Sequence, residues 1–258
     1  MSRMRRYMIP LIVVACVLLM GWLFNNYLRS TQDNPVSIAL AEFSANQYIK
    51  QNPTVSGYRI DWVASNEKNE NYWVRLSLPG SADSYFELEY NHIGVLLRNT
   101  YENYVTKKWT TAVRLNNEYT TAMNAVLASA PKLAEVGYAS NLSVHLPNDS
   151  WDSAHSISSD ELELDGVYDL AELGARAGYV WIRIEVDSAQ AVTVERLAET
   201  LLKVREAVDH AGLPFYTIDC CVEYPNGTYS KRMRLCDFLY EDIYEENLER
   251  RVLEALES

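Results

Sequence analysis

Read from the N-terminus, the apolar positions form one uninterrupted run and then a series of periodic stretches. Met8 to Phe24 (MIPLIVVACVLLMGWLF) carries no charge. As a helix rising about 1.5 Å per residue it reaches about 26 Å, with Asn25 to Leu28 in the far interface. Asn34 is placed to cap a second helix with Pro35 at its first position. Ile38, Ala41, Ala45, Tyr48 and Ile49 make the apolar face of that helix, and Asn52-Pro53 ends it. Three alternating segments follow. Tyr58, Ile60, Trp62 and Ala64 share a face of the first, Tyr72, Val74, Leu76 and Leu78 of the second, and Phe86, Leu88 and Tyr90 of the third. Their links, Asn66 to Asn71 and Pro79 to Ser84, make them an antiparallel meander, to which Val95 to Arg98 adds a fourth strand. Lys107 to Ala130 then reads as a helix through Trp109, Ala112, Leu115, Tyr119, Ala122 and Val126, stopped by Pro131.

The second half opens on a stretch rich in Ser, Asp and Asn, Pro147 to Asp160, expected to be an inter-domain loop. Tyr179 to Val186 is a strand, and Val194, Leu197, Leu201, Val204 and Val208 mark a helix from Thr193 to Ala211. Gly212 and Pro214 terminate it. Phe215 to Tyr224 and Tyr229 to Cys236 form a hairpin over Asn226-Gly227, with Met233 opposite Cys220 and Arg232 opposite Cys221. A helix from about Glu241 to Leu256 closes the chain. The expected class is α+β: a helix with a three- or four-strand meander, then β-α-β-β-α, with mostly antiparallel sheets. Tyr58-Arg59-Ile60-Asp61 is echoed by Tyr216-Thr217-Ile218-Asp219, each after a helix and before a hairpin, which raises an internal duplication.

Charge decides what surrounds these elements. Arg3, Arg5 and Arg6 precede the apolar run and only Arg29 closely follows it, so the positive-inside bias puts the N-terminus in the cytoplasm and the body outside. Asn25 to Leu28 offers no small-residue cleavage site, and the lipobox-like Val13-Val14-Ala15-Cys16 is followed by further apolar residues. An uncleaved single-pass anchor is therefore favoured over a cleaved or lipidated leader. The expected divisions are a cytoplasmic tail 1–7, an anchor 8–28, a stalk 29–34, and α+β domains 35–140 and 141–258. The chain has 23 basic and 35 acidic groups, a net charge of −12; beyond residue 30 the balance is 19 against 35, or −16. A body that acidic is repelled by phosphate backbones, which excludes sequence-independent nucleic-acid binding. Hydrophobic residues at 48% exclude a disordered body.

Few motifs carry chemistry. Glu161, Glu163, Asp165, Gly166 and Glu172 have the spacing of an EF-hand calcium loop, but position 1 is Glu where Asp is usual, and Leu162 and Leu164 alternate as in a strand. A solvated acidic edge leading into a turn at Asp165-Gly166 is the simpler expectation. The four histidines, His92, His145, His155 and His210, show no pair at helical ligand spacing. Ser65 and Lys68 have Ser-x-x-Lys spacing but lie between strands, not on a helix. Cys220, Cys221 and Cys236 form no bridging framework and are expected as free thiols. Tyrosine is over-represented, at 18 against five Phe. On the meander, Val63, Trp73 and Tyr85 fall on the faces opposite the core, beside Arg59, Arg75, Glu87 and Glu89; exposed aromatics there would bind a peptide or glycan. The alternative is that a helix roofs that face.

The stretches SGYRIDWVASNEKNENYWVRLSLPGSADSYFELEY, NTYENYVTKKWTTAVRLNNEY, PFYTIDCCVEYP and FLYEDIYEENL resemble the YfjL-like proteins, small membrane-anchored proteins of Gram-positive bacteria. The resemblance implies an N-terminal and a C-terminal α+β domain over most of residues 30–250 and brings no catalytic signature with it. The helix and meander of the first half are also similar to cystatin-like and PepSY-type domains, which act as inhibitors or interaction modules. The expected function is a membrane-anchored, extracytoplasmic binding or regulatory module for an envelope protein or peptide. The alternative is an extracytoplasmic hydrolase whose acids, such as Asp61, Glu87 and Asp219, converge only in three dimensions.

Overall fold

The computed structural model describes residues 2–30, 34–66, 71–130, 133, 137–147, 155–225 and 231–257, with side chains of the first helix described from 13 to 27. The class is α+β, in two compact units, Met1–Thr106 and Lys107–Ser258. The expected turn at Asn226-Gly227, the helix stop at Pro131 and much of the 147–160 loop lie outside the described residues.

In the first unit, helix α1 (Ser2–Ser30) precedes α2 (Pro35–Gln51). Among the described residues no helix is long and apolar enough to cross a membrane, so the fold does not by itself supply the anchor expected over 8–28. The cap of α2 is the expected one: the Asn34 side chain accepts from Val36 N at 2.9 Å, with Pro35 at the first position. Four strands follow, β1 (Arg59–Asn66), β2 (Asn71–Ser77), β3 (Tyr85–Tyr90) and β4 (Leu96–Asn99), paired antiparallel in the order β1-β2-β3-β4. Residues of β2 and β3 alternate as expected. Tyr72, Val74 and Leu76 are buried with Phe86, Leu88 and Tyr90, and α2 packs on β1 and β2 through Ala41 and Ala45. Edge-to-face contacts of Phe86 with Tyr58 (5.2 Å) and Tyr101 (5.1 Å) extend this core.

The alternation of β1 does not survive its length. A bulge between Ile60 and Trp62 puts two residues against one, so Ile60 pairs with Leu76, Trp62 with Arg75 and Val63 with Val74. A bulge reverses the facing of everything beyond it. Val63 therefore lies on the core face and Trp62 on the outer one, the reverse of the expectation.

The second unit begins with α3 (Trp109–Ser129), then β5 (Gly137–Leu142), the short pair β6 (Val144–His145) and β7 (Ile157–Ser158), and α4 (Leu170–Ala177). After these come β8 (Gly178–Glu185), α5 (Val194–Ala211), β9 (Thr217–Tyr224), β10 (Lys231–Leu239) and α6 (Leu248–Glu257). The main sheet has the order β10-β9-β8-β5; β8 and β9 are parallel, joined through α5, and the other pairs are antiparallel. Thr193 caps α5 and Gly212 ends it at φ +63, where a glycine is needed. Division between the units at 106/107, and not at 140/141, has a packing cause. Ala112, Leu115, Tyr119, Met123 and Leu127 of α3 belong to one core with Val180, Ile182, Leu201 and Ile218. The core is tight around Tyr119, whose hydroxyl donates to Pro214 O at 3.2 Å; a Cβ on Gly174 would stand 2.2 Å from that same carbonyl.

Pairing of β9 with β10 also departs from the two-residue turn. Cys220 faces Leu235 and Cys221 faces Arg234, two positions further along β10 than expected. The suspected duplication finds no echo in the topology. The strand after Tyr58 is an edge strand, whereas the strand after Tyr216 is internal and parallel to β8.

Candidate functional site

Pairing fixes what the outer face of the first sheet presents. Trp73, Arg75 and Ser77 of β2 stand opposite Glu89, Glu87 and Tyr85 of β3, and Trp62 joins them from β1. The Arg75 guanidinium lies between two rings, 5.0 Å from the centre of Trp62 and 4.6 Å from that of Tyr85. It donates to one oxygen of Glu87 through Nε (3.2 Å) and a terminal nitrogen (2.8 Å). Glu89 is buried and accepts from Asn71 Nδ2 at 2.7 Å. Tyr85 meets Tyr104 edge-on at 6.0 Å. Burial raises the Tyr85 phenol above its usual range, against the opposing pull of Arg75. Of the three expected partner-binding residues, the structure puts Trp73 and Tyr85 on this face and Val63 on the other. Trp62 takes its place; periodicity carries no signal for a bulge, so alternation alone could not find it.

Of the acids suggested for a hydrolase, two belong to the first unit and one to the second. Asp61 is exposed at the bulge and Glu87 is paired with Arg75, both in the first unit, while Asp219 belongs to the second. Asp219 is buried on β9 and accepts from Arg234 at 2.7 Å and from the backbone N–H of Asp237 at 2.9 Å. Burial acts to raise its pKa, but Arg234, the Asp237 amide and Tyr179 together outweigh it and hold the carboxyl below its usual range. Cys236 and Asp237 form the bulge between Leu235 and Phe238, with Asp237 at φ +50. The Asp219 carboxylate pins that bulge, with its charge paired to Arg234.

A cleft of about 970 Å³ lies within the second unit, lined among others by Trp109, His145, His155, Tyr179, Tyr216 and Asp237. The His155 and Tyr216 rings stack at 3.9 Å, and Nδ1 of His145 is shut off from solvent with no hydrogen-bond partner. Among the described residues that line it, Asp237 is the one carboxylate.

The model of the YfjL-like C-terminal domain family matches residues 100–253. The chain belongs to the YfjL-like family. No curated protein and no solved structure matches it. The YfjL-like domain begins just ahead of the break at 106/107 and includes α3, the cleft and the Asp219 network; the meander's outer face lies before it.

Within the YfjL-like domain the four acids of the calcium-loop spacing are put to separate uses. Glu161 receives two hydrogen bonds from Arg176, at 2.8 and 3.0 Å, and one from Ser158 N at 3.2 Å. The bond from Arg176 is the main cause of its lowered pKa. Leu162 is buried, Asp165 sits at φ +58 in the expected turn, and Glu172 lies in the first turn of α4. The Glu163 backbone N–H donates to the Tyr168 hydroxyl at 2.6 Å. Among the described residues no three His, Cys, Asp or Glu side chains are placed to hold a metal ion. The segment is shaped by the turn at Ser159–Glu161, the buried Leu162 and the start of α4.

Proposed function

We propose that the protein is a membrane-anchored, extracytoplasmic binding module, and that the outer face of its first sheet takes an envelope protein or peptide. The observation that carries the reading is the stack of Trp62, Arg75 and Tyr85. One face of this sheet is already covered by α2, and the other offers large aromatic surfaces held in place by a paired arginine. Aromatic and arginine side chains fixed before binding lose little entropy on docking and dominate interface energetics. The anchor is supported by the apolar side chains exposed on α1 from Val13 to Phe24, continued in sequence back to Met8, and by the arginines ahead of them.

Two measurements test the reading. A reporter fused after the last residue is expected to read as extracytoplasmic, and a cytoplasmic signal overturns the orientation. A photo-crosslinking residue in place of Trp62 is expected to form an adduct in cells that the same residue in place of Val167, on the second unit, does not. Equal labelling at the two positions overturns the docking face.

A further inference from the structure

The β3–β4 connection exposes apolar side chains where an acidic body should least afford them. Ile93, Val95, Leu96 and Leu97 are 48%, 51%, 40% and 53% exposed, and β4 is an outer strand of its sheet. An apolar strand edge left bare invites association, so proteins cover or charge such edges. From Tyr90 to Leu97 there is no charged residue apart from the ionisable His92, and Arg98 follows.

The tip is built rigidly. The Asn91 side chain accepts from Ile93 N at 3.1 Å and Val95 N at 2.9 Å, and Asn91 N donates to Val95 O at 3.0 Å. Gly94, at φ +79, lies against α2: Ser44 Oγ donates to its carbonyl at 2.8 Å, and a Cβ there would come within 2.9 Å of Ser44 Oγ and 3.1 Å of Leu40 O. The apolar side chains are therefore held outward by a fixed turn. Phe43, next to Ser44 on α2, is exposed as well.

A contact with α1 shows what the tip lies beside. His92 Nε2 lies 2.8 Å from Asn25 Oδ1, and Asn25 directly follows the apolar run that ends at Phe24. The hairpin is thus tied to α1 at the level where its apolar stretch gives way to polar residues, and Trp22, Leu23 and Phe24 are exposed beside that level.

We propose that the β3–β4 tip is a second membrane contact, with Ile93, Val95, Leu96 and Leu97 seated in the lipid interface beside the emerging end of α1. The occupant is the bilayer, because the tip is pinned to the segment that leaves it, and an uncharged apolar turn followed by Arg98 suits the boundary between acyl chains and anionic headgroups. Two contacts would fix the orientation of the first unit on the membrane, where a lone anchor leaves it free to swing. The inference rests on the anchor reading above, and the two fail differently.

The test uses the full chain in vesicles of zwitterionic and anionic phospholipid containing nitroxide-labelled lipid. The exposed thiols are removed as Cys16→Ser and Cys236→Ser, and an environment-sensitive fluorophore is attached through Leu97→Cys, Met20→Cys or Val167→Cys. Ile93→Cys supplies a second tip position should Leu97→Cys disturb folding. Lipid-borne quenching at Leu97 and Met20, with none at Val167, is the expected result. Quenching at Met20 with no quenching at either tip position overturns the tip contact and leaves the anchor standing. No quenching at Met20 overturns the anchor and the tip contact together. A blue-shifted but unquenched tip probe shows that protein covers the tip, which also overturns the proposal.

Discussion

On the outer face of the first sheet an arginine paired with a carboxylate is also flanked by two rings; on the outer face of the second, arginines meet carboxylates. Arg75 lies between Trp62 and Tyr85, whereas Arg183 meets Glu223 and Glu185, and Arg234 meets Asp219. Both sheets bury the alternate face: Val74, Leu76, Phe86 and Leu88 in one, Val180, Ile182, Ile218 and Cys220 in the other. Charge pairs on a surface satisfy each other and leave little for a partner to gain. Rings stacked on a guanidinium keep apolar area that a partner can still cover. The difference is what favours the first sheet in the recognition role proposed above, while on the second sheet Asp219 holds the bulge of β10.

The largest effects should follow from striking the face that each sheet buries. Phe86→Ala on the first sheet and Tyr119→Ala on α3, the helix packed against the second, each remove a fully buried ring. Each is expected to cost ~3–5 kcal/mol, read as a large fall in melting temperature by circular dichroism of the full chain in detergent. If Phe86→Ala melts like the parent chain, the faces of the first sheet are assigned the wrong way round.

Next in size is the charge network of the second sheet. Asp219→Ala strips the bulge of its acceptor and is expected to cost ~1.5–3 kcal/mol, the range for hydrogen bonds to a charged group. The pH dependence has a definite sign. The folded carboxyl is held below its usual value, so its contribution is complete above the ordinary carboxylate range and is lost as pH falls through the depressed folded value. Stability of the parent chain should thus decline below about pH 4, and Asp219→Asn should make that decline shallower. An unchanged acid profile in Asp219→Asn would show that other carboxylates account for it.

Smaller still are the effects of cutting the ring stack. Trp62→Ala removes one ring from Arg75 at a partly exposed site and is expected to cost ~0.5–1 kcal/mol. Trp73 is half-buried on the same face, so Trp73→Ala should cost well under the core value. Melting temperatures of the two variants decide between a free and a roofed face. A fall for Trp73→Ala as large as that for Phe86→Ala would make this face core and remove it as a docking surface.

How far the fold could be read from sequence follows how local each feature is. The Asn34-Pro35 cap, the meander of β2 and β3, and the Gly212 stop of α5 depend on neighbours in the chain, and each is present. β5 leaves little mark in the sequence, since GYASNL buries only Ser140 and Leu142 and has few strand-forming residues; it is a strand because β8 lies beside it. The eight-residue α4 was missed for a similar reason, being short and held by contacts with α3 and β8. An apolar face does not say which sheet a helix covers, so the pattern alone leaves open which unit α3 joins. On the candidate face, Trp73 and Tyr85 were legible through period-two alternation, whereas Trp62 depended on a bulge that leaves no mark in the pattern.

The smallest effect expected concerns reactivity alone, and it tests the alternation of β9 directly. Cys220 and Cys221 are adjacent, so one faces the core and the other the outer side with Arg183 and Arg234, while Cys236 is exposed in the bulge. Burial pushes the Cys220 thiol up to about 12, leaving on the order of 10⁻⁴ as thiolate at pH 8. Burial and then the Asp219 charge raise Cys236 as well, but its sulfur remains open to reagent. In a Cys16→Ser chain, maleimide labelling followed by mass spectrometry is expected to modify Cys236 first, Cys221 slowly, and Cys220 only after denaturation. Asp219→Asn takes away a negative charge beside Cys236, which favours its thiolate, so labelling there should quicken while Cys220 stays protected. Labelling of Cys220 ahead of Cys221 in the folded chain would mean that β9 presents the opposite face to the core, and the charge ladder contrasted with the aromatic stack would then have to be redrawn.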